Sequence, residues 1–582
     1  VDDARRQGPP AGTSLVVELG RRGRQLVGEP YFTPGLPIPL DLKGHGGLSV
    51  GELALIRTGR GRARVELELG SAKRIDNVLE ALLWEQGLRG EFEPFELAVE
   101  DHADRVDLRD QVAVTIDPDT AKDYDDALFF RREEDGIRAF VHIADVSNFV
   151  PAGSALDAGA ELRGCSTYLP GLVAPMLPPS LADNACSLRP GEDRLCLTVE
   201  MPPDGPPLFY RSVIRSKARL TYSQAERREA SPAVVEQLEL AHELASALRS
   251  RRFARGALDV TSLELVFRFE DGRVAGAARQ GEHEAHMLVE ELMIRANEHV
   301  ATFLASRGRA TIYRVHERPE PRSIALLVEK LAALEVPTPP LPETLSAQQA
   351  AELAAVISRQ VSEYVRQSGR GAEAFPSLVL RALKQARYDP ANLGHSGLAS
   401  PAYCHFTSPI RRYPDLVVHR ALLAELGLGG DLHPATLQAV SEHASARERE
   451  AAALEYRADA ICLTWLLEQR LFERGWETRW DGEITGMIGS GLFVRFGEVF
   501  EGYLPARRLP GEYFELNATA TALSGRRSGR VYRLGDEINV RVEAASRHDG
   551  KVELALSETR AREPQPARAR GGRRASGRRR GG

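Results

Sequence analysis

The sequence predicts a multidomain α+β protein, and three features carry that prediction. The chain has 582 residues, far more than one hydrophobic core accommodates. Short strand-like runs occupy both ends while longer helical patterns dominate the middle. That order fits a large mixed α+β unit flanked by small β-rich modules, and not a βαβ repeat. Finally, no apolar run reaches about 18 residues, so no transmembrane helix is expected. With 43% hydrophobic and 27% charged residues, the composition is that of an ordinary soluble globular protein.

Residues 1–13 are polar and broken by Gly8-Pro9-Pro10, and are expected to be disordered. From Ser14 short β-like runs follow (Leu15 to Leu19, Gln25 to Val27, Leu53 to Ile56, Ala63 to Leu69), punctuated by Gly and Pro as in a small barrel or a winged unit. Ile75 to Trp84 then has helical spacing with Gly87 as a stop, so residues 14–104 read as one β-plus-α module. Between 105 and 470 no linker is evident. Strand-like runs (Val112 to Ile116, Ala139 to Ile143) open this unit, and helical patterns (Ala285 to Leu304, Ile324 to Leu334, Leu437 to Leu471) close it. Residues 476–558 return to short strands and predict a five-stranded barrel of the oligonucleotide-binding class, with an Ala-, Ser-, Gly- and Arg-rich insertion near 517–530.

The net charge of −6 is unevenly placed. Nine Arg and one Glu between Arg560 and Gly582 give the tail +8, which leaves −14 on the rest. A basic, Gly-rich segment of this kind, 560–582, is expected to be a disordered arm, either meeting polyanions or merely solvated. The five cysteines are widely spread, with no Cys-x-x-Cys pair, so reduced and mostly buried thiols are expected. The start, Val1 to Arg6, has no apolar stretch of a secretory signal, which fits a cytoplasmic protein and equally a trimmed chain.

Asp117, Asp119, Asp123, Asp125 and Asp126 fall within ten residues, directly after a β-like run. Crowded carboxylates repel one another unless a cation or strong donors neutralise them. Hard oxygen ligands suit Mg²⁺ or Mn²⁺, and two such ions could serve in-line phosphodiester cleavage. A calcium loop of the EF-hand type is excluded, because Lys122 replaces the required Gly and Leu128 the closing Glu. A solvated acidic turn satisfies the same spacing. A second constellation, His405 to Leu416, places Arg411 and Arg412 between Pro409 and Pro414. An arginine fork matches phosphate oxygens and could stabilise charge developing at a scissile phosphate; a structural loop with paired arginines is the plain alternative. Tyr168, among the turn formers Gly164 to Gly171, could stack on a base or simply pack.

Together these segments resemble the RNB catalytic domain of the RNase II and RNase R family, in the family's order. Thr115-Ile116-Asp117 with Asp123-Tyr124-Asp125-Asp126-Ala127-Leu128 resembles its acidic motif. Val141 to Ser147, Tyr168-Leu169-Pro170, Met176-Leu177-Pro178 and His405 to Arg420 match in turn, and the last barrel is similar to an S1 RNA-binding domain. The resemblance implies processive 3′→5′ hydrolysis of single-stranded RNA to nucleoside 5′-monophosphates, with Mg²⁺ (or Mn²⁺) held by Asp117, Asp123, Asp125 and Asp126. It assigns Arg411 to the scissile phosphate, Tyr168 to the 3′-terminal nucleotide and Glu290 to the RNA channel. A monomer, structured RNA with a 3′ overhang as a further substrate, and no membrane partner are also expected.

Two departures stand out. About 100 residues precede the catalytic unit, where family members usually carry two cold-shock-like barrels; one such barrel or a winged helix would fit. No second aromatic occurs around Leu258 to Ser262, where RNase II-like members place the partner of the stacking Tyr. No Gly-x-x-x-x-Gly-Lys-Ser/Thr loop is present, so ATP-driven unwinding within this chain is not expected.

Overall fold

The computed structural model describes residues 12–96, 104–259, 264–281, 284–429 and 436–557. The expected N-terminal and C-terminal disordered segments lie outside these residues, save for 12 and 13, and so does most of the Leu258 to Ser262 stretch. Among the described residues no helix is long and apolar enough to cross a membrane.

Strands Ser14–Arg22, Gln25–Pro30, Ile38–Asp41, Glu52–Arg57 and Ala63–Ser71 close into a barrel. Alternation fills it: Leu15, Val17 and Leu19 point inward with Ala54, Ile56 and Val65. Helix Ile75–Glu85 buries Ile75, Val78, Leu79, Leu82 and Leu83, the spacing of one apolar face. Its Glu85 carboxylate accepts the Val16 N–H at 2.7 Å, which fixes the helix to the barrel.

A seven-stranded mixed sheet forms the centre, in the order Ala218–Thr221, Val114–Asp117, Asp126–Glu133, Gly136–Ala144, Asp193–Met201, Leu208–Arg215, Val106–Asp107. Strand Gly136–Ala144 is almost continuously apolar because both faces are covered. Helices Pro232–Ala254 and Glu284–Ser306 pack on one face, and helix Tyr413–Glu425 contributes to the core of the other. Strand Val114–Asp117 runs parallel to Ala218–Thr221 and antiparallel to Asp126–Glu133. Asp117 therefore ends one strand, Asp126 begins its neighbour, and Asp123 and Asp125 lie in the connection between them. That topology gathers the acidic residues at one end of the sheet.

Helix Leu437–Arg474, 38 residues and about 57 Å long at 1.5 Å per residue, is the spine. Its Arg457 donates to the Phe32 carbonyl of the first barrel at 2.8 Å and its Glu468 pairs with Arg547 of the last. That last unit is a closed barrel of strands Trp480–Ile488, Gly491–Phe496, Phe500–Pro505, Glu537–Ser546 and Lys551–Leu556. In and around the insertion, Phe514–Leu516, Ala522–Gly525 and Val531–Arg533 form a sheet of their own. All five cysteines are free, four of them buried and Cys165 half-buried.

Candidate active site

Asp117 and Asp125 are buried, at 9% and 4% exposure, while Asp123 and Asp126 are half-buried. Burial, reinforced by Asp126, pushes the Asp117 carboxyl well above the usual carboxylate range. Burial likewise raises Asp125 strongly, with Arg411 opposing the shift, and raises Asp126. The carboxylates are short of positive charge. Arg411 Nε approaches Asp125 Oδ2 at 3.5 Å but makes no hydrogen bond to it, and Arg412 is taken by the buried Asp415 at 2.7 Å. Among the described residues Asp117 Oδ2 and Asp125 Oδ2 have no hydrogen-bond partner. A buried carboxylate oxygen without a donor costs several kcal/mol unless a cation meets it.

The segment His405 to Tyr413 is tied directly to this cluster. The Ile410 N–H donates to Asp125 Oδ1 at 2.9 Å, and the Ser408 N–H to Asp415 Oδ1 at 2.8 Å. Pro414 in the first turn of helix Tyr413–Glu425 costs no hydrogen bond there and stops the segment sharply. Arg411 itself, with its side chain 44% exposed, donates to Ser408 Oγ at 3.1 Å and otherwise faces the opening. On the other side, Tyr168 in the short strand Thr167–Leu169 donates its hydroxyl to Asp123 Oδ2 at 2.9 Å. Its backbone N–H is held by Glu455 Oε1 at 2.8 Å, from the long helix. Gly164 makes this approach possible: its φ is +72°, and a Cβ there would meet Arg447 Cβ at 2.8 Å.

The RNB domain family matches residues 105–427. This chain belongs to the RNB family. Ribonuclease R of Escherichia coli (strain K12) is 35% identical over 494 residues, covering 79% of this chain and 58% of that protein. Ribonuclease R of Thermotoga maritima is 36% identical over 487 residues, covering 80% and 66%. The chain thus spans roughly three-fifths of the curated relatives it matches. Mycoplasma genitalium RNase R, solved with ribose-methylated single-stranded RNA, superposes with a TM-score of 0.83 at 24% identity, covering 94% of this chain and 90% of that one. The shared multidomain fold is therefore RNase R-like, including the barrel at the C-terminal end.

RNB nucleases are metal-dependent. Among the described residues no group of three or more His, Cys, Asp or Glu converges at ligand distance. The donor set nevertheless fits a hard cation. Four carboxylates share the site with the loosely engaged Arg411 and with Arg219 beside Asp117, and the two orphaned Oδ2 atoms are oxygens of the type Mg²⁺ takes.

Of the residues singled out from sequence, Asp117, Asp123, Asp125, Asp126, Arg411 and Tyr168 share one site. Asp119 is exposed. Glu290 stands on helix Glu284–Ser306, 3.7 Å from Arg252 and one turn beyond His286, whose ring meets Tyr222 at a centroid distance of 5.3 Å. Sequence reading missed Tyr222, whose hydroxyl pKa is raised by burial and then by Asp126 and Asp117. It also missed Arg219, which lies 5.5 Å over the Tyr124 ring, and Glu455 behind Tyr168. Only the strand pairing of Thr221 with Asp117 brings Arg219 and Tyr222 to the cluster, and nothing local in the sequence signals it.

Proposed function

We propose that this chain is a processive 3′→5′ exoribonuclease that hydrolyses single-stranded RNA to nucleoside 5′-monophosphates. The observation carrying this reading is the convergence of the four carboxylates, Arg411 and Tyr168 at one end of the sheet, with Asp125 hydrogen-bonded to the segment that carries Arg411. Asp117, Asp123, Asp125 and Asp126 would hold Mg²⁺, with Mn²⁺ able to substitute. When bound, the metal would supply activation of a water and shielding of charge at the phosphate. Around it the chain's own groups do the positioning. Arg411, loosely held and half-exposed, swings onto the scissile phosphate and stabilises charge as it builds. Tyr168, fixed at both its hydroxyl and its backbone, offers a ring to the 3′-terminal base. Glu290 would line the strand's path to this site. The two barrels on the spine helix would receive single-stranded RNA, and a 3′ overhang would admit structured RNA. The chain acts as a monomer in the cytoplasm.

Incubation of 5′-labelled RNA with Mg²⁺ or with EDTA tests the reading. Mononucleotide release with Mg²⁺ alone, from RNA but not DNA and only with a free 3′ end, is the expected result. The rival reading is an RNA-binding protein without chemistry, against which the retention of all four carboxylates and Arg411 counts. An intact band under both conditions, with RNA retained, would establish that reading in place of the first.

A further inference from the structure

Away from the carboxylates, on the far side of the segment 387–405, the fold holds a polar cavity of ≈ 480 Å³, within the ordinary range for a small-molecule site. Its wall is rich in donors. Arg318 is exposed and has no ion-pair partner among the described residues. Arg255 is 40% exposed and bonded to Glu298 through one nitrogen, which leaves the rest of its fork free. Asn392 uses its oxygen to accept the Gly394 N–H, so its amide N–H₂ remains available. His395 Nδ1 accepts the Leu398 N–H, and the neutral ring therefore carries its proton on Nε2 as a further donor. Against these stands one lining carboxylate, Glu352, which already accepts from Gln348 at 2.7 Å. Two guanidiniums and two neutral donors over one satisfied carboxylate select an anion.

The cavity is separate from the catalytic opening yet joined to it by packing. From His395 a line of rings runs through Tyr403 and His405 to Tyr388, with centroids 5.2, 5.8 and 5.5 Å apart. Tyr388 lines the smaller cavity that holds Tyr168 and Arg411. Tyr388 and Tyr403 are buried and His395 and His405 half-buried, and the two cavities share no lining residue.

We propose that this cavity is a second site, binding the phosphate of a free nucleoside monophosphate, with Arg318 as its principal contact and Arg255, Asn392 and His395 completing the cradle. A volume several times that of a phosphate leaves room for the ribose and base. The same phosphate chemistry could come from an RNA backbone, and the test separates the two sources.

Equilibrium dialysis with labelled AMP in EDTA is carried out on the full chain bearing Arg411→Ala, which removes phosphate capture at the catalytic opening. One equivalent of AMP is expected to bind. Adding Arg318→Ala should weaken it at least about tenfold, the loss of one charge-assisted contact, while Glu352→Gln should tighten it. Unchanged thermal midpoints in these variants establish that each has folded. No AMP binding to Arg411→Ala, or binding indifferent to Arg318→Ala, overturns the proposal. So does a parallel loss of RNA affinity in Arg318→Ala with AMP failing to compete, because the cradle would then belong to the strand.

Discussion

Tyr168 donates a hydrogen bond from its hydroxyl to Asp123 Oδ2 across 2.9 Å, so the ring proposed to meet a terminal base is bonded to one of the acidic residues. On that proposal, positioning of the nucleotide and of the carboxylate would be linked. Tyr168→Phe keeps the ring and loses the tie, and Tyr168→Ala loses both. Phe is expected to retain RNA affinity while turnover falls by a modest factor. Ala should weaken binding of short RNA by about 1–3 kcal/mol, the usual worth of one base stack, and leave longer limit products. Gel analysis of end products together with Kd measurements checks this, and equal affinity in the Phe and Ala variants would exclude stacking.

Asp125 has two oxygens with different duties. Oδ1 accepts the Ile410 N–H at 2.9 Å, while Oδ2 is buried without a hydrogen bond among the described residues. In Asp125→Asn the amide oxygen can keep the first bond, so the segment carrying Arg411 stays in place while the negative charge disappears. Cleavage of labelled RNA should be abolished with binding intact. Mg²⁺, which should raise the melting midpoint of the parent by ligand linkage, should raise that of the variant less. Calorimetry with and without EDTA reads the second effect, and undiminished turnover would refute the metal-site assignment.

Arg411 pairs only loosely, at 3.5 Å from Asp125, and its side chain is 44% exposed. Little stability depends on such a contact. Arg411→Ala should leave the melting midpoint nearly unchanged and lower kcat by about 10²-fold or more, the scale of losing a transition-state donor, with a small change in RNA affinity. A defect confined to affinity would make Arg411 a strand anchor instead.

The sequence made some of this legible and hid the rest for identifiable reasons. Alternation in Leu15 to Leu19 and the 3.6-residue spacing of Ala285 to Leu304 correspond to the strand Ser14–Arg22 and the helix Glu284–Ser306, because in both a single buried face sets the pattern. The 23-residue helix Pro232–Ala254 was not legible: apolar and charged residues are spread around it, and even Gln237 and Arg252 are buried, Arg252 against Glu291. The insertion near 517–530 showed in the sequence only as a compositional bias, because its three strands are only three or four residues long. The acidic cluster and the Arg411 segment were visible since each is contiguous. Tyr222 and Glu455 were not, as they reach the site only through strand pairing and the packing of the spine helix.

A last expectation concerns acid stability. His142 is fully buried in strand Gly136–Ala144, where Nδ1 meets Thr198 Oγ1 at 2.9 Å and Nε2 has no partner among the described residues. Burial holds its pKa down to about 3, against roughly 6.5 for an unfolded histidine. Below pH 6.5 the unfolded chain therefore takes up a proton that the folded chain refuses. The contribution of the neutral ring is fully present above pH 6.5 and is lost as pH falls toward 3, at up to about 1.4 kcal/mol per pH unit. Buried Asp117 and Asp125, with raised pKa values, act in the opposite direction, so the parent profile alone is ambiguous. His142→Gln, which cannot titrate, isolates the term. Between pH 7 and pH 5 the parent should lose about 2 kcal/mol more than the variant in urea unfolding. Parallel losses in the two proteins would mean that His142 is protonated in the folded state.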